Sequence, residues 1–364
     1  MTYSQRRGKL CRRMASSGVD ALLVTDLVNV HYLTGFTGSN AALLVYADDA
    51  DGDRATLATD GRYRTQAARQ APDVRLEIER ACAPHLTKIA AAGGVSRLGF
   101  ESHVVTVDGY DQLANAAVSV ELVRASGMVE ALREVKDDGE KALLRLACEA
   151  ADAALADLIH RGDLAPGRTE RQVARDLEAL MLDHGADGPS FETIVAAGPH
   201  SAIPHHRPTD AVLATGDFVK IDFGALVAGY HSDMTRTFVL GQAAQWQRDI
   251  YELVAVAQQA GREALAPGAE CSDVDAAARA VIAEAGYAEN FGHGLGHGVG
   301  LEIHEAPAIG ATSTATLQSG AAVTVEPGVY LPERGGVRIE DTLIVGEGGP
   351  ELLTRFTKEL TVLA

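Results

Sequence analysis

The amino-acid sequence predicts an α+β protein of two domains, a smaller α/β domain over residues 1–130 and a larger domain over residues 135–364. Three observations carry this. At 364 residues the chain exceeds the roughly 250–300 residues at which a single core stops growing. Its first part alternates short apolar runs with helix-like stretches, the pattern of strands joined by helices. Its C-terminal part contains an internal echo, two similar segments that each carry two acids and turn-forming glycines.

The elements follow in order. The basic start, Arg6, Arg7, Lys9, Arg12 and Arg13, lies in a helix-like polar stretch and lacks the apolar region of a signal peptide, so a solvated helix face is expected. Apolar runs at 21–24, 41–45 and 97–100, with the region 67–70 between them, read as strands buried on both faces and linked by helices. The charge-dense segment 134–141 hands over to a long helix with Leu143, Leu146, Ala147, Ala150, Ala154 and Leu158 at helical spacing. Thr169-x-x-Gln172 caps a second helix, Trp246 opens a third that ends at Pro267-Gly268, and Ser272 caps a fourth that ends at Gly286. Trp246 is expected to pack, and no low-complexity linker separates the domains.

Composition narrows the function. A hydrophobic fraction of 46% with 23% charged residues is that of a folded globular chain. The formal charge of −18 disfavours a nucleic-acid partner, and no apolar run is long enough to cross a membrane. Four cysteines, Cys11, Cys82, Cys148 and Cys271, form no CxxC pair, which suits a reducing, cytoplasmic setting.

The echo points to chemistry. Gly216-Asp-Phe-Val-Lys-Ile-Asp222-Phe-Gly224 resembles Gly320-Ala-Ala-Val-Thr-Val-Glu326-Pro-Gly328, and each half continues to a second acid followed by Thr, Asp233-Met-Thr235 and Glu340-Asp-Thr342. Two related hairpins, each presenting two carboxylates, are expected to converge in a curved sheet. Carboxylates so crowded must be protonated or neutralised by metal. Oxygen-rich ligation with an imidazole suits Mn²⁺, Co²⁺, Fe²⁺ or Zn²⁺, and two such ions about 3.5–4 Å apart share and acidify a water. The imidazole is sought in the glycine-rich stretch 292–305, which holds His293, His297 and His304.

These residues resemble the creatinase/prolidase/aminopeptidase P family of metallopeptidases. The likeness rests on the stretches 219–224 and 232–237, on 293–305, on Thr324-Val-Glu-Pro-Gly and on Gly336-Val-Arg-Ile-Glu-Asp. In the first domain, 29–38 and 59–63 look like the family's proline-specific members. The resemblance implies a pita-bread catalytic domain, a pseudo-twofold curved antiparallel sheet with helices, behind a creatinase-like N-terminal domain. It implies two divalent ions per subunit, manganese foremost, with Asp222 on one, Asp233 and Glu340 bridging, and His297 and Glu326 completing the set. Glu326 would shuttle the proton as a bridging hydroxide attacks the scissile carbonyl. His205 and His304 match substrate-side histidines, with His206 expected as a solvated neighbour of His205. His293 lies beside the metals, and Arg338, two residues before Glu340, would orient carboxylates or bind a substrate carboxylate. Tyr230 is expected as a half-buried turn aromatic.

The implied activity is hydrolysis of Xaa-Pro bonds in proline-containing peptides, by an aminopeptidase to which 29–38 and 59–63 tilt the reading, or by a dipeptidase. A homodimer is implied too. A non-peptidase C–N hydrolase and a binding-only member of the fold are the competing classes, and the complete ligand set argues against both.

Overall fold

The computed structural model describes residues 1–364, in two compact units, Met1–Arg133 and Glu134–Ala364. The first unit is a six-stranded mixed sheet of β1 (Ala21–Val24), β2 (Ala41–Tyr46), β3 (Thr56–Thr59), β4 (Arg75–Ile78), β5 (Arg97–Phe100) and β6 (Glu121–Arg124), in the order β4-β3-β2-β1-β5-β6. Both β1 and the first five residues of β2 are buried throughout, as their continuous apolar runs require. The connecting helices are α1 (Tyr3–Ser17), α2 (Leu27–Thr34), α3 (Arg64–Gln70), α4 (Cys82–Ala92), α5 (Val107–Ala116) and the short α6 (Glu130–Arg133). The 67–70 region is thus helical.

The basic start is not a solvated face throughout. Arg7 is 0% exposed and Arg6 7%. The Arg7 guanidinium donates to Gly52 O at 2.6 Å and Leu33 O at 2.9 Å and pairs with Asp73 at 2.9 Å. A buried charge is tolerable only when its donors are matched in this way.

The second unit opens with α7 (Asp138–His160), whose capping box uses Asp137 and Glu140, and α8 (Glu170–Asp183), capped by Thr169 and Gln172. Leu146 of α7 is 51% exposed, because Leu144, Ala147, Ala151 and Leu155 carry the buried stripe instead. Later come α9 (Gln245–Glu263) and α10 (Cys271–Glu284). The last is capped at Glu270 without a side-chain hydrogen bond, so Ser272 lies in its first turn and is not the cap. Trp246 packs edge-on against Phe218 at 5.3 Å.

The strands fall into two halves. In one, β8 (Ile194–Ala197), β9 (Phe218–Phe223) and β12 (Met234–Leu240) form a sheet closed by β20 (Thr361–Leu363), in the order β20-β12-β9-β8. Beside it, β7 (Gly188–Pro189), β10 (Ala225–Val227) and β11 (Tyr230–His231) make a small sheet. In the other half, β13 (Gly296–Gly298), β14 (Glu305–Ile309), β15 (Ala322–Val325), β18 (Asp341–Ile344) and β19 (Glu351–Leu352) run in the order β14-β13-β15-β18-β19. A separate hairpin, β16 (Gly328–Leu331) and β17 (Gly335–Arg338), links β15 to β18.

Each half has its own core. Val173, Leu177, Val195, Ile221 and Phe238 belong to one, while Val254, Val274, Val323, Val325 and Leu343 belong to the other. The halves are stitched by Glu340 N–H to Thr235 O at 3.1 Å and by Thr237 Oγ1 to Arg338 O at 3.0 Å. No helix is long and apolar enough to cross a membrane, and all four cysteines are buried and unpaired.

Candidate active site

The acids of the echo meet at that seam. Asp222 lies on β9, opposite Thr235 of β12, and Asp233 immediately precedes β12. Glu326 follows β15 and Glu340 precedes β18, two strands that pair antiparallel. Burial is deep, with Asp222 8%, Asp233 4% and Glu340 1% exposed.

His297 arrives on β13, which pairs with β15. The strand comes so close to its neighbours that a Cβ at Gly296 would stand 2.1 Å from Thr324 O and one at Gly298 2.1 Å from Ala306 O, so only glycine fits on either side of the imidazole. His297 Nδ1 lies 3.0 Å from Gly298 O, and its Nε2 faces Glu326 Oε1 at 3.3 Å and Asp233 Oδ2 at 3.5 Å.

The electrostatics are those of acids crowded in a buried space. Burial, followed by the charges of Glu340, Asp222 and Glu326, pushes the Asp233 carboxyl well above its ordinary range. Burial, then Glu326 and Asp222, does the same to Glu340. Burial opposes ionisation of Glu326 too, but the hydrogen bond and charge of His297 hold its pKa below the ordinary value. Burial works against His297 protonation, yet Glu326 raises it. These are the opposed shifts expected where carboxylates share one desolvated space.

Arg338 is 2% exposed. It pairs with Asp222, donates to Thr235 Oγ1 at 3.0 Å, Tyr330 Oη at 2.8 Å and Pro204 O at 3.2 Å, and stands 3.9 Å from Glu326. It ends β17, and Glu340 lies beyond that strand's end, so the two are not paired residues of one strand as period-two reasoning expects. Four of its hydrogen bonds are made within the protein, and of the two expected roles this geometry favours orienting carboxylates.

His293 Nε2 meets Tyr330 Oη at 2.9 Å, and burial, with Arg338 charge adding to it, lowers its pKa. His304 is exposed and stands edge-on to His297 with ring centroids 4.3 Å apart. His205 is exposed on a loop, whereas His206 is 8% exposed and bonded to Glu170 at 2.9 Å. The expectation of a solvated His206 therefore fails, because a buried carboxylate claims it. Tyr230 is buried, with its hydroxyl donating to Glu140 at 3.0 Å. A cavity of about 480 Å³ opens over the group, lined among others by Asp222, Asp233, His297, Glu326, Glu340, His293, His304 and His205.

Sequence reasoning missed Lys220 and Tyr330. Lys220 is 0% exposed and donates to Ile203 O at 2.6 Å and Pro204 O at 3.2 Å. Its position two residues before Asp222, on the same strand face, was the available signal. Tyr330 bridges Arg338 and His293, and burial pushes its hydroxyl up to about 12. Nothing in the local sequence marks it.

The donor set fits divalent metal. Asp222 Oδ1 is buried without a hydrogen-bond partner, and ligand atoms of Asp233, His297 and Glu340 all lie within 4.8 Å of one another. Hard oxygens with one imidazole suit ions such as Mn²⁺, Co²⁺ or Zn²⁺, and cationic charge would relieve the crowding of the four acids.

A two-half fold that gathers carboxylates and an imidazole under an open cavity defines a metallohydrolase. The chain belongs to metallopeptidase family M24, which matches residues 142–347, and residues 6–135 match the creatinase/prolidase N-terminal domain. The expected fold class, a pita-bread domain behind a creatinase-like one, holds. The chain is 36% identical over 358 residues to the Xaa-Pro dipeptidase of Pyrococcus furiosus, covering 98% of this chain and 99% of that protein. The structure of the Xaa-Pro dipeptidase from Bacillus anthracis matches with a TM-score of 0.93 at 38% identity, over 99% of this chain and 100% of that one. The X-Pro aminopeptidase from Thermotoga maritima matches at 0.89 and 31% identity, over 98% and 99%.

Proposed function

We propose that this chain is a metal-dependent Xaa-Pro dipeptidase. The observation that carries the reading is the set of four acids and an imidazole lining one cavity, three of them with ligand atoms within 4.8 Å of one another, within a chain that matches proteins named Xaa-Pro dipeptidase over nearly its whole length. The segments 29–38 and 59–63 and the Thermotoga maritima relative favour a second reading, an Xaa-Pro aminopeptidase. The full-length dipeptidase relatives tip the balance.

Asp222, Asp233, His297, Glu326 and Glu340 are the proposed holders of two divalent cations, with Mn²⁺ as the proposed ion. Such ions supply Lewis acidity and a nucleophilic water at neutral pH. The protein's own groups do the rest. Glu326, on the cavity wall, takes the proton of the attacking water and passes it to the departing prolyl nitrogen. His205 and His304 on the cavity wall grip the scissile carbonyl as charge develops on its oxygen. Arg338 and Tyr330 position Asp222 and His293. Proline lacks an N–H, so a site for it needs ring contacts and no acceptor at that nitrogen; Phe191, Ile194 and Ile303 supply apolar wall.

Metal-stripped protein is assayed on Ala-Pro, Ala-Pro-Ala and Ala-Ala-Ala with and without Mn²⁺. Metal-dependent cleavage of Ala-Pro above Ala-Pro-Ala is the expected outcome. Preference for Ala-Pro-Ala makes the enzyme an aminopeptidase, and no metal-dependent cleavage of any peptide ends the peptidase reading.

A further inference from the structure

A dipeptidase binds a substrate whose carboxylate sits one residue beyond the scissile bond, close to a centre of four acids. A side-chain cation apart from the metal-holding groups is the natural partner for that carboxylate, and Arg338 does not face the cavity. Its guanidinium is buried and bonded to Asp222, Thr235, Tyr330 and Pro204. The wall carries one guanidinium or ammonium group, that of Arg207.

The loop that bears Arg207 is pinned from beneath. Lys220 donates to Ile203 O and Pro204 O, and Arg338 donates to Pro204 O as well. One residue beyond His205, His206 turns inward onto the buried Glu170 carboxylate at 2.9 Å, and Thr209 N–H and hydroxyl donate to the same oxygen at 2.9 and 2.7 Å. With His206 held inward, its neighbours His205 and Arg207 face outward, and both are exposed and line the cavity. The residue proposed to grip the scissile carbonyl and the one guanidinium on the wall are thus set two positions apart on one hydrogen-bonded segment.

Arg207 has a ready-made stand-in for a substrate carboxylate. Its Nε lies 3.2 Å from Glu192 Oε2, with the two side chains 82% and 61% exposed, and Glu192 lines the same cavity. Ion pairs this exposed contribute little, so the partner is readily exchanged, whereas a guanidinium fork meets a carboxylate with two parallel hydrogen bonds. We propose that Arg207 receives the free C-terminal carboxylate of the dipeptide, displacing Glu192, and so sets the preference for dipeptides over longer peptides. The inference rests on the dipeptidase reading of the site.

The test compares Ala-Pro with Ala-Pro amide, which differ only in the terminal charge, on Mn²⁺-loaded wild type, Arg207→Ala, Arg207→Lys and Glu192→Gln. Both residues are exposed, so the variants are expected to fold, and circular dichroism checks this. For Arg207→Ala, kcat/KM on Ala-Pro is expected to fall about tenfold more than on the amide, the scale of a hydrogen bond to a charged group, with the loss in KM. Arg207→Lys restores part of it, and Glu192→Gln lowers KM for Ala-Pro alone. In wild type the dipeptide's advantage over the amide shrinks as NaCl rises. Equal losses on both substrates, or no loss on either, overturn the role of Arg207 while leaving the dipeptidase reading intact. A wild type that prefers the amide overturns the dipeptidase reading, and the inference falls with it.

Discussion

The two halves of the second unit solve the same problem with different parts. Each brings one acid on or at the end of a strand and a second just before the returning strand, Asp222 and Asp233 in one, Glu326 and Glu340 in the other. Two residues before the first acid they diverge. Thr324 donates to Glu326 at 3.3 Å and accepts the His297 N–H at 3.1 Å, whereas Lys220 reaches away to the carbonyls beneath His205. The strand beside β15 supplies the imidazole, while its counterpart beside β9, Ile194–Ala197, supplies only buried apolar residues. The echoed pattern therefore accounts for the carboxylates, and differences at matched positions account for the imidazole on one side and the His205 loop on the other. The threonines after the second acids cross the seam, Thr235 donating to the Glu340 carboxylate at 2.6 Å and Thr342 to the Asp233 carbonyl at 2.8 Å.

Breaking the acid set has the largest expected effect. Glu340→Gln should lower kcat by about 10²–10³-fold, the scale of losing a principal electrostatic group. In metal-stripped protein the same change should raise the midpoint of thermal unfolding at neutral pH, since burial and the charges of Glu326 and Asp222 oppose ionisation of Glu340 in the folded state, a cost that a neutral Gln does not carry. A lower midpoint for the stripped variant than for stripped wild type contradicts the repulsion.

The matched positions sharpen the comparison at the next scale down. Lys220→Met deprives Ile203 O of its donor and frees the His205 loop, so its loss, about 10–100-fold in kcat/KM, should fall mainly on KM. Thr324→Val removes the donor to Glu326 and the acceptor of His297 N–H, so its loss, about tenfold, should fall mainly on kcat and on metal affinity. Steady-state kinetics with metal titration separates them, and identical profiles would mean the halves are not divided in this way.

The crossing threonines should give the smallest effects. Thr342→Val removes one buried hydrogen bond and Thr235→Val two, to Glu340 and from Arg338, at about 1–3 kcal/mol of stability each by denaturant titration. Only Thr235→Val should also depress activity clearly, because its partner is a carboxylate of the site.

How much of this was legible depended on sequence distance. The echo gave both acid pairs and their strands because each signal lies within a dozen or so residues, and the histidines stood out against glycines that only close approach requires. Long-range partners were invisible. His206 is claimed by Glu170, 36 residues away, so a neighbour expected to be solvated is buried, and Arg338 meets Asp222, 116 away, a partner its local sequence does not name. The basic N-terminal run misled for the same reason, since a run of charge reads as a solvated face until its acceptors are known. The strand alternation that should have marked Lys220 was drowned by the apolar residues around it, because β9 is buried on both faces.

Arg7 carries a further consequence, for the order in which the chain is made. Its acceptors lie 26, 45 and 66 residues downstream. On the ribosome, α1 can form early, but its guanidinium has no protein partner until Leu33 has emerged and lacks its full set until Asp73 has followed. The buried charge of α1 is therefore matched only when residues from across its unit, as far on as Asp73, have come together around it.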